Sequence, residues 1–342
     1  MAIVVVGGGA IGLLVAGKLA QAGAVPGALL GRPSTVAALT AQPLTISDSG
    51  ASDQIAGMQV FGAPEDLPVP FQQPDLAIVC VKGYDTPGVI KTLQILTPKQ
   101  ILTLQNGIGN EERLIAAFGA GQVLAGAITT SVDFRSASDI LVTKEGGIGV
   151  APCVPGGDTD FAVDALTQAG FLVERYRDYR ALKWSKALLN MLGNASAAIL
   201  DMPVPQIYAD NRLADMEIRA VREALAVMRR IGIKPFNLPG YPAGTLAAAA
   251  RFIPNFVLRP LLRRMVGGGR GGKDPSLLRD LRARRKRSEG EFLYGAIAAA
   301  AAEHGVPAPV NAALWRVLSA IVDGNLAWET YRGKPERLLA EI

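Results

Sequence analysis

The sequence predicts an α/β domain over residues 1–176 followed by an all-α domain over residues 177–342. Three observations predict it. The chain opens on a β-branched run, "AIVVV", that leads straight into glycines. Short apolar runs ending in polar loops then recur: "GALLGRPS", "PDLAIVCVKGYDT" and "QILTLQNGIGNEERL". Beyond Asp178 nearly every segment carries the helical period instead. The 342 residues give room for two domains of ordinary size, and 49% hydrophobic residues supply a core for each.

The first element is "AIVVVGGGAIG", a strand followed at once by Gly7-x-Gly9-x-x-Gly12, with "LLVAGKLAQAG" reading as a helix that ends at Gly23. Strand, glycine turn and helix together form the context of a Rossmann-type dinucleotide site. Gly7 permits the tight turn, Gly9 lets the backbone approach a pyrophosphate, and Gly12 lets helix pack on strand. The helix start, with Ala10 and Ile11, offers backbone N–H groups to phosphate oxygens. A second strand is expected near "GALLGRPS", where an NAD site places an acid to grip the 2′-hydroxyl. Here Gly31-Arg32 stands and no acid follows directly. A guanidinium suits a 2′-phosphate, which favours NADPH/NADP⁺; the plain alternative is a solvated loop arginine.

The next two units end in Lys82 and in Asn106-Gly107, and the second opens a helix with Glu111 and Glu112 in its first turn. Both loops lie beyond the carboxyl ends of strands expected to be parallel, where ligands bind in this architecture. Lys82 suits phosphate, ribose or substrate; Asn106 suits the nicotinamide or its ribose. Each also reads as a loop residue. "QVLAGAITTSVDF" and "DILVTKEGGIGVAP" are expected as two antiparallel strands around a polar turn at 135–138, and "FAVDALTQAG" and "FLVERY" as a helix and the last strand.

Helices are expected over Tyr179 to Leu200, Asn211 to Ile231, Leu277 to Glu303 and Asn311 to Asp323. The first holds "LKWSKALLNMLGN", in which Lys186, Asn190 and Asn194 recur every four residues. Four helical residues turn about 400°, so each polar group sits about 40° from the last. One polar stripe thus lies on an apolar helix. A buried lysine without a partner is costly, and a ligand with a carbonyl and a carboxylate would satisfy it and the amides. A helix-packing network or a solvent-facing stripe is the other reading.

Composition removes several classes. With one histidine, His304, a His/Cys metal cluster is excluded, as is any catalytic triad that does not use that residue. Two cysteines, Cys80 and Cys153, argue against a disulfide framework and fit a reducing cytosol. The uncharged N-terminus lacks a basic leader region, and the apolar stretch 246–266 is broken by Arg251, Pro254, Arg259 and Pro260. A soluble cytoplasmic protein is expected. From Arg251 to Arg287 twelve Lys and Arg face two Asp, a net of +10 in a chain of +5. No aromatic interleaving accompanies this charge, so it reads as a solvated or subunit-facing surface, with no nucleic acid or membrane partner. A homodimer is compatible with it.

The motifs "GGGAIG", "VKGYDT", "LQNGIG", "KWSKALLNMLGN", "PSLLRDLRARRKRSEGEFLYG" and "EHGVPAPVNAALW" together resemble the ketopantoate reductases (2-dehydropantoate 2-reductases) over almost the whole chain. The resemblance implies NADPH-dependent reduction of a 2-oxo acid, 2-dehydropantoate to pantoate, in pantothenate and coenzyme A synthesis. It implies that Lys186 is the catalytic proton donor to the ketone oxygen and that Glu289 contacts the substrate hydroxyl. It assigns Asn190, Asn194 and Ser276 to the pantoyl skeleton and its carboxylate, Lys82 and Asn106 to cofactor and substrate contacts, and Arg32 to the 2′-phosphate. From the sequence alone Glu289 reads as a solvated partner of Arg285 or Lys286. Four departures fall near the substrate side: Lys273 where the family has an asparagine, one residue inserted between Ser276 and Glu289, Tyr294 in place of an asparagine, and an extra segment at about 235–272. That segment is expected as a long loop closing over substrate, hinged at Gly267–Gly269, Gly271 and Gly272, with an oligomer contact as the plain alternative. The alternatives are a β-hydroxyacid dehydrogenase, which shares the Lys-x-x-x-Asn pattern, a relative with another 2-oxo acid, or a non-catalytic NADP sensor.

Overall fold

The computed structural model describes residues 1–269 and 274–342. The first half runs β1 (Ile3–Val6), α1 (Ala10–Ala22), β2 (Gly27–Leu30), α2 (Pro33–Ala41), β3 (Leu44–Ser47), β4 (Ser52–Ile55) and β5 (Gln59–Phe61). It continues through α3 (Val69–Gln72), β6 (Leu76–Val79), α4 (Thr86–Leu96), β7 (Gln100–Thr103) and α5 (Asn110–Phe118). It closes with β8 (Val123–Ile128), β9 (Ser131–Ser136), β10 (Asp139–Lys144), β11 (Gly147–Pro152), α6 (Asp160–Gln168) and β12 (Leu172–Arg175).

Eight strands form one sheet in the order β12-β11-β8-β7-β6-β1-β2-β5. The six strands from β8 to β5 in that order pair in parallel, and β11 joins β8 antiparallel. Parallel central strands are covered on both faces, which is why β1 and β6 read as unbroken apolar runs and are wholly buried. A second sheet, β4-β3-β10-β9, lies across α1. Leu13, Leu14, Val15, Ala16 and Leu19 of α1 join one core with residues of both sheets, among them Val5, Leu29, Leu44 and Ile140. A helix covered by sheets on two sides must be apolar nearly all round, as α1 is.

The two long antiparallel strands expected across 122–152 are four. Each breaks at Thr129 or Glu145-Gly146, so β8 and β11 stay in the large sheet while β9 and β10 form the hairpin of the small one. The crossing point dictates the break. A Cβ on Gly146 would stand 2.6 Å from the Thr129 carbonyl carbon. The Thr129 hydroxyl accepts from the Gly147 N–H at 2.8 Å and donates to the Pro239 carbonyl at 2.7 Å. The strands β3 to β5 went unseen because they are short and rich in polar residues.

The second half comprises α7 (Tyr179–Asn190), α8 (Asn194–Leu200), α9 (Val204–Ala209), α10 (Asn211–Arg230), α11 (Ala243–Phe252), α12 (Asn255–Gly269), α13 (Ser276–Arg282), α14 (Tyr294–Glu303), α15 (Pro309–Val322) and α16 (Pro335–Leu339). The sequence boundary at 176/177 falls in the turn before α7. The compact units part within α7, as Met1–Lys183 with Leu238–Tyr241, and Trp184–Asn237 with Pro242–Ile342. Three expectations are corrected here. The helix expected from Tyr179 to Leu200 ends at Asn190 and restarts at Asn194, because Gly193 takes φ +64° and a Cβ there would meet Val204 Cγ1 at 2.7 Å. The helix expected from Leu277 to Glu303 is α13, an irregular stretch with Arg284 at φ +51°, a 3₁₀ turn over Glu289–Phe292, and α14. The loop expected at 235–272 is largely helical, since α11 and α12 occupy most of it. They pack on α10 and α9 through Leu246, Ala250, Leu258 and Leu262. The hinge glycines Gly267–Gly269 lie within the backbone of α12. Gly271, Gly272 and Lys273 fall outside the described residues.

Candidate active site

In the first unit, four candidate residues or motifs follow the carboxyl ends of adjacent parallel strands. Gly7 to Gly12 follows β1, Arg32 follows β2, Lys82 follows β6 and Asn106 follows β7. The order β7-β6-β1-β2 puts the chain's reversal of winding between β6 and β1, the crevice where such sheets bind ligands. The glycine turn is shaped by contact. Gly7 has φ +116°, and a Cβ on Gly12 would stand 1.7 Å from the Gly7 carbonyl oxygen. A Cβ on Gly9 would meet nothing within 4 Å, so the space over the start of α1 is open. No side chain caps α1, and its first turn, with Ala10 and Ile11, carries no acid. A pyrophosphate fits that N-terminus.

Arg32 precedes Pro33 at the start of α2, and its guanidinium is largely exposed, 3.5 Å from Asp85. Lys82 is half-buried at the head of the turn that leads into α4. Asn106 is exposed, on a loop whose Gly107 and Gly109 both have positive φ.

In the second unit, residues 184–200 are buried with two exceptions, Lys186 and Asn190, one helical turn apart. The stripe read from the sequence is thus real for these two positions. Asn194 starts the next helix and is buried: its Nδ2 donates to the Asn190 carbonyl at 3.1 Å, and its Oδ1 accepts from the Leu277 N–H at 3.2 Å. That one amide brings together the end of α7, the start of α8 and the start of α13, where half-buried Ser276 stands. Glu289 is 8% exposed in the 3₁₀ turn capped by the Ser288 hydroxyl. The solvated partnership expected for it from sequence does not suit that burial.

Two family models match this chain. That described as "Ketopantoate reductase PanE/ApbA" covers residues 3–153, and that described as "Ketopantoate reductase PanE/ApbA C terminal" covers residues 178–322. The chain belongs to the ketopantoate reductase family. A 2-dehydropantoate 2-reductase of Pyrococcus horikoshii is 27% identical over 326 residues, 94% of this chain and 97% of its own length. Another, of Archaeoglobus fulgidus, is 27% identical over 322 residues, with 94% and 97% covered. Among solved structures, a PanE/ApbA family ketopantoate reductase of Ralstonia eutropha superposes with a TM-score of 0.78 at 24% identity, covering 95% of this chain and 99% of that one. A D-mandelate dehydrogenase with NADH and anilino(oxo)acetate superposes with 0.79 at 19% identity, covering 95% and 100%. The last two show the fold. This member of the ketopantoate reductase family is an enzyme, an oxidoreductase acting on a CH–OH group.

Sequence reading missed the polar supports of the ketopantoate reductase fold. Around the break between α7 and α8, the buried Glu217 accepts from the Gly193 N–H and the Ser196 hydroxyl, each at 2.6 Å. The Tyr294 hydroxyl, fully buried, accepts from the Ala195 N–H at 3.0 Å and donates to the Met191 carbonyl. Lys183, three residues before Lys186, is buried and ion-paired with Glu111 at 2.9 Å. Burial holds the Glu111 carboxyl above the usual carboxylate range, and the Lys183 charge offsets only part of that rise. A lone Glu or Lys in a helical pattern gives no sign of burial, and Tyr294, singled out only as standing in place of an asparagine, gave no sign of the two backbone groups it joins.

The basic run is partly answered by acids. Arg259 pairs with Asp215, Arg282 with Asp201 and Asp274, and Arg285 with Asp280. Among the described residues, no group of three or more His, Cys, Asp or Glu could hold a metal ion, and no helix is long and apolar enough to cross a membrane.

Proposed function

We propose that this chain catalyses the NADPH-dependent reduction of a 2-oxo acid, 2-dehydropantoate to pantoate. The observation that carries the reading is the pair Lys186 and Asn190, the half-exposed positions in an otherwise buried helical run, in a chain matched by the ketopantoate reductase family at both ends. Gly7, Gly9, Ala10, Ile11 and Gly12 hold the pyrophosphate against the start of α1. Arg32 takes the 2′-phosphate, with Lys82 and Asn106 at the neighbouring strand ends on the ribose, the nicotinamide or the substrate.

The bound dinucleotide supplies a hydride to C2 of the 2-oxo acid. As negative charge grows on the ketone oxygen, the Lys186 ammonium stabilises it and delivers a proton from Nζ, a contribution of about 10²–10⁴-fold for a well-placed general acid. Asn190 and Ser276 orient the carboxylate and the carbon skeleton, and Glu289 accepts from the substrate hydroxyl. Asn194 acts one step back: its amide is spent on the Asn190 carbonyl and the Leu277 N–H, so it holds Asn190 and Ser276 in place.

A second reading is a different 2-oxo acid, favoured by the likeness to the D-mandelate dehydrogenase fold and by the helices α11 and α12. Steady-state turnover with a panel of 2-oxo acids and both nicotinamide cofactors tests the two together. The first reading expects the highest kcat/KM for 2-dehydropantoate with NADPH, and Lys186→Ala to remove most of kcat while NADPH still binds. Near-normal turnover of Lys186→Ala would make the stripe a packing feature. A clear preference for an aryl 2-oxo acid would select the second reading.

A further inference from the structure

The Asn106 loop joins β7 to α5 and is soft by composition. Two of its residues, Gly107 at φ +90° and Gly109 at φ +101°, use backbone that glycine adopts without strain. Yet its two ends meet one buried cation. Lys183 Nζ donates to the Gln105 carbonyl, directly before Asn106, at 2.5 Å, and to the Gly126 carbonyl of β8 at 3.1 Å. It stands 2.9 Å from Glu111 Oε1, in the first turn of α5. Two hydrogen bonds and one ion pair thus surround the ammonium.

The loop is braced again from within. Gln105 Nε2 donates to the Thr86 hydroxyl at 2.9 Å, and Asn110 Nδ2 donates to the Asn106 carbonyl at 3.0 Å. Thr86 in turn donates to the Gly83 carbonyl at 2.7 Å, beside Lys82. One buried polar chain therefore fixes the loops after β6 and β7.

Burying an ion pair is an inefficient way to gain stability, since apolar residues of similar volume often serve as well. With 4% and 1% side-chain exposure, Lys183 and Glu111 do not contact a ligand in this arrangement. We propose that Lys183, clamped to Glu111 and the Gln105 carbonyl, is a positioning residue that sets the Asn106 loop for the bound dinucleotide and substrate. The ligand half of this inference rests on the reading of Asn106 given above; the loop half does not.

The test is the double variant Lys183→Met/Glu111→Leu, which removes both charges together and so avoids a stranded ion. Three quantities are read on the full chain: thermal stability, amide hydrogen exchange at 106–110, and NADPH affinity by fluorescence titration. Faster exchange at 106–110 is expected with a transition near that of the unaltered protein. NADPH Kd should rise about tenfold, the scale of a misplaced contact. Adding Asn106→Ala should then weaken binding less than it does alone, because the misplaced asparagine has less to lose. Unchanged exchange together with unchanged Kd, or fully additive losses, would overturn the inference. If the double variant does not fold, Glu111→Gln keeps the shape and removes one charge, and unchanged exchange in it overturns the clamp. A chain that turns over no 2-oxo acid would sink the proposed substrate and leave both readouts intact. A chain that binds no dinucleotide would sink the cofactor reading, and exchange alone would then decide the clamp.

Discussion

Tyr294→Phe removes a single oxygen atom. That oxygen accepts from the Ala195 N–H and donates to the Met191 carbonyl, on either side of the break between α7 and α8. The ring stays in its fully buried place, so no cavity of consequence forms. The Ala195 N–H loses its partner in a site sealed from water, while the Met191 carbonyl keeps the Asn194 N–H at 3.1 Å. Leaving a buried donor unmet costs about 1–3 kcal/mol, and the carbonyl, still hydrogen-bonded, adds little to it. For a unit of this size that corresponds to a midpoint lower by roughly 2–12 °C. Differential scanning fluorimetry reads the shift on the full chain, and turnover below the transition reads the consequence for Asn190. Because the break sets the end of α7, KM for the 2-oxo acid should rise more than that for NADPH. A midpoint within about 1 °C of the unaltered protein, below the smallest shift the buried orphan allows, would refute the reasoning.

Three further outcomes are expected. Arg32→Ala should raise the KM for NADPH about tenfold or more, the scale of a lost charge-assisted contact, and leave NADH nearly unchanged; Asp85→Asn, which frees the guanidinium from its partner, should lower the KM for NADPH, and parallel kinetics with both cofactors check this pair. Burial pushes the Cys80 thiol far up, and burial, with the charges of Glu111 and Glu112 behind it, pushes Cys153 up to about 12, so mass spectrometry should find neither alkylated by iodoacetamide at pH 8 until the protein is unfolded. Asp210 caps α10 through the Arg212 N–H, and the hydrogen-bonded Arg212 side chain holds its carboxyl below the usual range. Asp210→Ala should cost about 1 kcal/mol at neutral pH in urea unfolding. That difference is full above the unfolded value near pH 4 and should shrink as the pH falls through the lower folded one.

The elements legible in the sequence were those whose local pattern decides them. β1, its glycine turn and α1 declare themselves because close contact at Gly7 and Gly12 admits no side chain. The half-exposed pair Lys186 and Asn190 was visible as a period. Asn194 seemed to continue that stripe, because nothing in "NMLGN" shows that Glu217, 24 residues beyond Gly193, receives the Gly193 N–H and lets the helix stop. The same holds for the split at Thr129, which depends on the Pro239 carbonyl 110 residues away. Lys183 was overlooked beside Lys186 because spacing cannot tell which lysine is buried. Long-range partners decide each of these cases, and they leave no local pattern.

The four residues Leu238–Tyr241 belong with the first unit although the chain on both sides of them belongs to the second. A fragment cut after Lys183 would therefore not be the whole nucleotide-binding unit. It would keep Thr129 at the corner of its two sheets and lose the carbonyl that receives the hydroxyl proton. The backbone around Gly147, against which Pro239 rests, would be uncovered. The gene thus has no single seam at which this half can be excised intact. A graft that moves the cofactor-binding half to another protein must carry the 238–241 strap with it, spliced behind Lys183 through a short linker.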